Sequence, residues 1–266
     1  MINIDRTMPS PASLQTQAVR DYLDELADWK KDYSDRLAAH QIDKSLPKPL
    51  SKFEAKNTPA YRSSDLIDAF DDCFLAKCYL TEEAFANSGV MDVEHFLSKS
   101  ERPDLRYEWS NLYPAEHLAN MMKPRKIPDG GYLDPCSSED DVEQDILYSF
   151  EEPVKGIPKC HFEARDPKNK KAVNTAQLLD RVHNGHDADS FRNTQDLRLG
   201  IDSWKRKIMH IILEWQDAKE RNDQEEEMIY RKKLQDYLSR KASFTMLMRS
   251  NLTIKKLVIN KGVELD

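Results

Sequence analysis

Residues 90–123 read VMDVEHFLSKSERPDLRYEWSNLYPAEHLANMMK, and the fold is decided there. Val90 to Leu97 is a short apolar-rich segment suited to a strand, and the aromatic run Tyr107 to Tyr113 suits a second one. Between them Ser98-Lys99-Ser100-Glu101-Arg102-Pro103-Asp104 is polar and contains proline, the composition of a loop. Residues 115–123, AEHLANMMK, favour a helix that Pro124 must stop. The order is strand, strand, helix.

Outward from this element the texture is helical. Towards the N-terminus, Ser10-Pro11 is a cap and first-turn pair, and Val19, Tyr22, Leu23, Leu26, Trp29, Tyr33 and Leu37 recur at the spacing of one helix stripe. Gln41 to Tyr61 carries Pro47, Pro49 and Pro59 and reads as an irregular connection. Ser63 or Ser64 then caps a second helix whose stripe is Leu66, Ile67, Phe70, Phe74 and Leu75, running toward Cys78, with Cys73 and Cys78 as buried small apolar residues on it. Towards the C-terminus, Pro124 to Lys171 is proline-rich and acidic, a loop region with room for two short strands. Beyond it Trp204, Ile208, Ile211, Ile212 and Trp215 mark one helix stripe, and Tyr230, Leu234, Tyr237 and Leu238 the next, an antiparallel helical hairpin. The expected organisation is an N-terminal helical region over 1–80, the strand–strand–helix core over 81–128, and a loop-rich and helical region over 129–266 packed as one domain. The fold class is mainly α with a small embedded β-β-α element, α+β overall.

Composition narrows the chemistry. The 266 residues include only 7 glycines and no G-x-G-x-x-G or G-x-x-x-x-G-K-[ST], which argues against an NTPase or a dinucleotide enzyme. Four cysteines without a C-x-x-C pair make neither a disulfide framework nor a zinc ribbon. No run of ~18 apolar residues is present, and the start MINIDRTMPSPASLQ is not signal-like, so a cytoplasmic protein without membrane contact is expected. The net charge of -7 hides an asymmetry: residues 200–266 hold 14 Lys+Arg against 11 Asp+Glu, whereas the first 199 hold 26 against 36. Such a chain is a poor unaided binder of polyanions.

Within the core element the polar residues exceed what packing needs: Asp92, Glu94 and His95 at the first strand, Asn111 in the second, Asn120 and Lys123 on the helix. A carboxylate beside an imidazole, with an amide oxygen brought in from a helix, supplies two hard ligands for one divalent cation and a proton acceptor next to it. That set suits phosphodiester hydrolysis. His40, His117, His161, His183, His186 and His210 lack such company and read as structural, although His117, one turn before Asn120, is an alternative metal ligand.

The strings Asp92-Val93-Glu94-His95-Phe96, Trp109-Ser110-Asn111-Leu112 and Asn120-Met121-Met122-Lys123 together resemble the β-β-α-metal site of HNH endonucleases. More narrowly the chain resembles the PtuB family, the HNH subunits of Septu and retron-associated antiphage systems. Arg6-Thr7 and Pro9, Cys78, D-x-E-H-F, the serine-lysine pair after it, Leu133-Asp134-Pro135, Phe244 and Arg249 carry that likeness.

The resemblance implies a nuclease acting on DNA or structured RNA, with His95 as general base and Glu94 and Asn120 as ligands of one Mg2+ or Mn2+. It implies that Asn111 braces the loop carrying the base, that Lys123 reaches a phosphate, and that Asp92 is a supporting residue. Implied partners are a PtuA-type ABC/SMC-like ATPase and, in the retron case, a reverse transcriptase with its noncoding DNA. The alternative is a catalytically idle helical module that docks to such an ATPase. Many relatives bind a structural zinc through two C-x-x-C knuckles; here the matching places read Cys78-x-x-Thr81 and Glu116-x-x-Ala119. No structural zinc is therefore expected, and Trp109 and Phe96 are the expected packing anchors. Because adjacent strand residues face opposite ways, Glu94 and His95 can serve one site only if the strand ends or bulges there.

Overall fold

A computed structural model describes residues 1–60, 62–151 and 156–266. The elements in order are α1 (Gln17–Ile42), α2 (Ser64–Phe74), β1 (Asp92–His95), β2 (Leu112–Ala115), α3 (His117–Met122), α4 (Val142–Asp145), β3 (Ile146–Glu151), β4 (Lys159–Ala164), α5 (Lys170–Asn184), α6 (Ala188–Asn193), α7 (Gln195–Glu220), α8 (Gln224–Leu238), α9 (Thr245–Ser250) and α10 (Leu252–Leu257). The chain is about 52% helical with two small antiparallel sheets, β1-β2 and β3-β4, a mainly-α member of the α+β class. Among the described residues no helix is long and apolar enough to cross a membrane.

Two compact units are present, one of Thr7–Ala69 with Val93–Tyr113 and a larger one of Met1–Arg6, Phe70–Asp92 and Pro114–Asp266. In the smaller unit the long first helix starts later than its sequence signal. Ala12–Gln15 forms a separate 3-10 turn, and Thr16, in extended backbone, caps α1 by accepting from the Val19 N–H. Of the apolar stripe, Val19, Tyr22 and Leu26 are buried. Tyr22 is the centre of an aromatic cluster, edge-on to Phe53 at 5.6 Å and to Tyr107 at 5.1 Å, an arrangement that suits the ring quadrupoles. The Tyr107 hydroxyl donates to the Pro59 carbonyl at 2.6 Å, so the irregular segment after α1 is tied to the residues just before β2. Residues 43–60 form neither helix nor strand, as their prolines require; Tyr61 lies outside the described residues.

In the larger unit β3 and β4 pair in register Ile146↔Ala164, Tyr148↔Phe162 and Phe150↔Cys160. These are the two short strands for which the proline-rich region had room; its residues 152–155 lie outside the described residues. The open edge of β4 is closed by one side chain: Asn184, at the end of α5, accepts from the Cys160 N–H at 3.1 Å and donates to the Cys160 carbonyl at 2.7 Å. A carboxamide there does the work of a neighbouring strand. The helices α7 and α8 form the expected hairpin, with Trp204 against Tyr237, Tyr230 bonded to Glu214, and Lys219 paired with Glu227. Their partners descend in one helix as they ascend in the other, which is antiparallel packing.

Three local expectations are corrected. Helix α2 ends at Phe74 and does not run to Cys78, because Leu75 and Ala76 take left-handed backbone, φ 59° and 53°. Cys73 is half-buried and Cys78 lies beyond the helix, so they are not a pair of buried helix positions. The second strand is displaced: Trp109–Asn111 is a 3-10 turn and pairing begins only at Leu112.

Candidate functional site

Glu94 and His95 are the last two residues of β1, which ends at His95. Both side chains are buried, at 6% and 7% exposure, as are Asn111 at 4% and Lys123 at 9%. Buried polar groups of this kind must be hydrogen-bonded.

His95 is oriented by the backbone of its own unit. Its Nε2 lies 3.0 Å from the carbonyl oxygen of Arg106. A carbonyl can only accept, so this bond assigns the ring proton to Nε2 and makes Nδ1 the basic nitrogen of the neutral imidazole. The loop between β1 and the 3-10 turn is closed by Asn111. Its Oδ1 accepts from the Leu97 N–H at 2.7 Å, while its Nδ2 donates to the carbonyls of Leu97 at 3.0 Å and Leu105 at 3.1 Å. Its backbone also bonds Phe96 and Glu108. One residue thus fixes both ends of the loop whose next residue, Arg106, holds the imidazole. Inside the loop Arg102 pairs with Asp104 at 2.7 Å, and hydrogen bonding to that guanidinium draws the Asp104 carboxyl down to about 2. Of the expected packing anchors, Trp109 is buried, and Phe96, half-buried, stacks obliquely on Tyr113 at 5.2 Å.

The helical half of the motif sits in the larger unit. Glu116 caps α3 through its own carboxylate, which accepts from the Ala119 N–H at 2.9 Å, a device that favours the helix N-terminus electrostatically as well. Six residues cannot sustain a helix by propensity, so α3 depends on its surroundings. Ala119 and Met122 are buried, and Arg181 of α5 donates to the Met122 carbonyl at 2.6 Å, satisfying an orphan acceptor of the last turn. Asp92 Oδ2 lies 2.9 Å from His117 Nδ1 and accepts from Asn120 Nδ2, also at 2.9 Å. Asp92, His117 and Asn120 are thus brought together around one carboxylate oxygen. Lys123 follows the helix as its C-cap, in extended backbone.

Cys78, Thr81 and Glu116 also meet. The Thr81 N–H points to the Cys78 sulfur at 3.5 Å, and a backbone hydrogen bond from Glu116 reaches the same thiol. Burial pushes the Cys78 thiol up, against these bonds, so it stays protonated. Among the described residues no group of three or more His, Cys, Asp and Glu side chains is arranged to hold a metal ion.

Sequence reasoning did not find Arg106 or Arg181. Arg106 acts through its main-chain carbonyl, which no side-chain pattern betrays, and Arg181 reads as one more basic residue in the last turn of a helix. Comparison of the chain with protein-family models, with curated proteins and with solved structures finds no match.

Proposed function

We propose that the chain is a metal-dependent endonuclease of the HNH type, the effector subunit of an antiphage defence complex. The observation that carries this reading is the hydrogen bond between His95 Nε2 and the Arg106 carbonyl. It assigns the ring proton to Nε2, so the lone pair that a general base uses is on Nδ1. Asn111 holds the supporting loop at both ends, so the ring keeps that orientation. The reaction is then an in-line displacement. Water oxygen forms a bond to phosphorus as its proton passes to His95 Nδ1, the bond from phosphorus to the 3′ oxygen breaks, and solvent protonates the departing oxygen.

Glu94 and Asn120 offer a carboxylate oxygen and an amide oxygen, a donor set that fits a hard dication such as Mg2+ or Mn2+. The cation's contribution when bound is to neutralise the phosphate and stabilise charge on the leaving oxygen. Lys123, buried at the end of α3, is the residue that the resemblance assigns to the phosphate chain. An acidic protein with scattered basic clusters needs help to hold a polyanion, and an ABC/SMC-like ATPase of the PtuA type is the partner proposed to give it; a retron reverse transcriptase and its noncoding DNA would join in that setting.

The test is incubation of the purified chain, alone and with such an ATPase, with plasmid DNA and with structured RNA, in magnesium or manganese. Cleavage that stops on chelation is expected. Absence of cleavage of either nucleic acid by the folded, partnered protein would favour the idle docking module instead.

A further inference from the structure

The oxygen that holds His95 belongs to the peptide between Arg106 and Tyr107, and the side chains at both ends of that peptide rest on Tyr22 of α1. All of these residues lie in the smaller unit. At one end, the Arg106 guanidinium donates to the Tyr22 phenol oxygen and sits 5.8 Å from the centre of its ring. At the other end, the Tyr107 ring meets Tyr22 edge-on at 5.1 Å. The Tyr22 hydroxyl also donates to the Pro103 carbonyl at 3.4 Å, the same acceptor that takes the Arg106 N–H at 3.3 Å. Tyr22 is itself immobilised, 3% exposed on the buried stripe of α1 with Phe53 edge-on at 5.6 Å. A planar peptide whose two flanking side chains and preceding N–H are all held leaves its carbonyl little freedom to swing. The other link from α1 to this loop, Lys30 to Asp104 at 3.4 Å, is solvent-exposed and contributes little.

We infer that Tyr22 is a positioning residue: by gripping Arg106 and Tyr107 it fixes the carbonyl that keeps the His95 proton on Nε2, and so presents Nδ1 as the basic nitrogen. This rests on the reading of His95 as general base, but the state of the ring is measurable without substrate. It gives the N-terminal helix a task that an amphipathic stripe does not reveal, since the grip depends on one hydroxyl and one ring among its buried residues.

The experiment is nitrogen NMR of the full chain carrying isotopically labelled histidine, at neutral pH and well below melting. The His95 ring is assigned by the signals missing from His95→Gln. In the wild type the proton should sit on Nε2 alone. Tyr22→Phe keeps the ring and loses the hydroxyl, so the two His95 nitrogen shifts should move toward each other as the tautomers mix, and further in Tyr22→Leu. Arg106→Met should act like Tyr22→Phe, and the double variant should add little to either, because both remove the same contact. Lys30→Ala is the control and should leave the shifts in place. With nucleic acid, magnesium and the ATPase partner, Tyr22→Phe should lower kcat about tenfold at unchanged KM, short of the ~10²-fold cost of a 1 Å misplacement. Melting curves check folding, and Tyr22→Phe decides by itself if Tyr22→Leu does not fold. Unchanged His95 shifts in folded Tyr22→Phe, a wild-type proton on Nδ1, or a cleaving Tyr22→Phe with wild-type kcat would overturn the inference. Shifts that respond while no form of the protein cleaves would support the grip on the ring and remove the nuclease reading instead.

Discussion

Replacing Asn111 by alanine removes three side-chain hydrogen bonds at once, to the N–H and carbonyl of Leu97 and the carbonyl of Leu105. Each backbone group left without a partner costs ~1–3 kcal/mol where water cannot replace it, and these lie in a half-buried loop that admits some water. The loss should be about 3 kcal/mol in sum, near the lower end of three such penalties. At roughly 2–4 °C per kcal/mol for a chain of this size, melting should fall by about 6–12 °C. Asn111→Asp should do no better, because the second carboxylate oxygen would face two carbonyls that it cannot satisfy. Circular dichroism gives the melting shift, and hydrogen exchange at the Leu97 amide should lose its protection. Under the nuclease reading activity falls as well, through a looser Arg106 carbonyl and a mispositioned His95, with metal affinity nearly unchanged. An Asn111→Ala protein that melts within a degree of wild type and keeps a protected Leu97 amide would refute the bracing argument.

Two further outcomes follow from buried groups in the larger unit. Burial of His183, against Phe162 and with Nδ1 bonded to the Leu179 carbonyl, lowers its pKa from 6.5 to about 4. The unfolded chain therefore binds a proton that the folded chain refuses, and stability is lost as pH falls from about 6.5 to about 4, by about 3 kcal/mol in all. Urea unfolding at pH 7 and pH 4.5 should show this drop in wild type and a flatter profile in His183→Met; equal slopes would contradict it. Cys78 is held as a neutral thiol by burial, and Thr81, Glu116 and Ala119 supply no second sulfur ligand. Metal analysis should find no tightly held zinc and a strong chelator should leave melting unchanged, since a structural zinc contributes ~10–16 kcal/mol and its removal unfolds small domains. One zinc per chain that resists dialysis, with unfolding on chelation, would show that the cysteines have been recruited in another arrangement.

How far the chain could be read in advance depends on what kind of signal each part carries. The hairpin of α7 and α8 announces itself, because an apolar residue every three or four positions is the direct trace of a buried helix face. The strands β3 and β4 were foreseen only as room for two short strands in a proline-rich loop region; their places, marked by alternation of Ile146, Tyr148 and Phe150 and of Cys160 and Phe162, were not read. The second core strand was misplaced because the Tyr107–Tyr113 run looks like strand composition, whereas Asn111 uses its side chain to bond backbone groups and turns the chain there. Strong N-cap residues at Ser10 and Thr16 compete, and only the later one, in extended backbone beside the Val19 N–H, caps α1. Least legible are the buried charges. Lys77 donates to the carbonyls of Arg240 and Ala242 and to the Thr245 hydroxyl, and Arg198 to the carbonyls of His183 and Phe191. In the sequence they are ordinary basic residues. Their acceptors are main-chain and hydroxyl oxygens, in the case of Lys77 more than 160 positions away, and no local pattern records them. The candidate site divides in the same way: Glu94, His95, Asn111 and Asn120 stand out by residue type and order, while the carbonyl that orients His95 belongs to a residue with no distinguishing feature.

The most direct test of the account is cleavage by His95→Ala. Its imidazole is held by the Arg106 carbonyl, and its proposed role is proton transfer, so the variant should keep wild-type circular dichroism and bind Mn2+ as before. Its cleavage rate in the presence of the metal and the ATPase partner should fall ~10²–10⁴-fold, the usual contribution of a positioned general base. A well-folded His95→Ala protein that cleaves at the wild-type rate would contradict the assignment of His95, and with it the nuclease mechanism built on the His95 to Arg106 hydrogen bond.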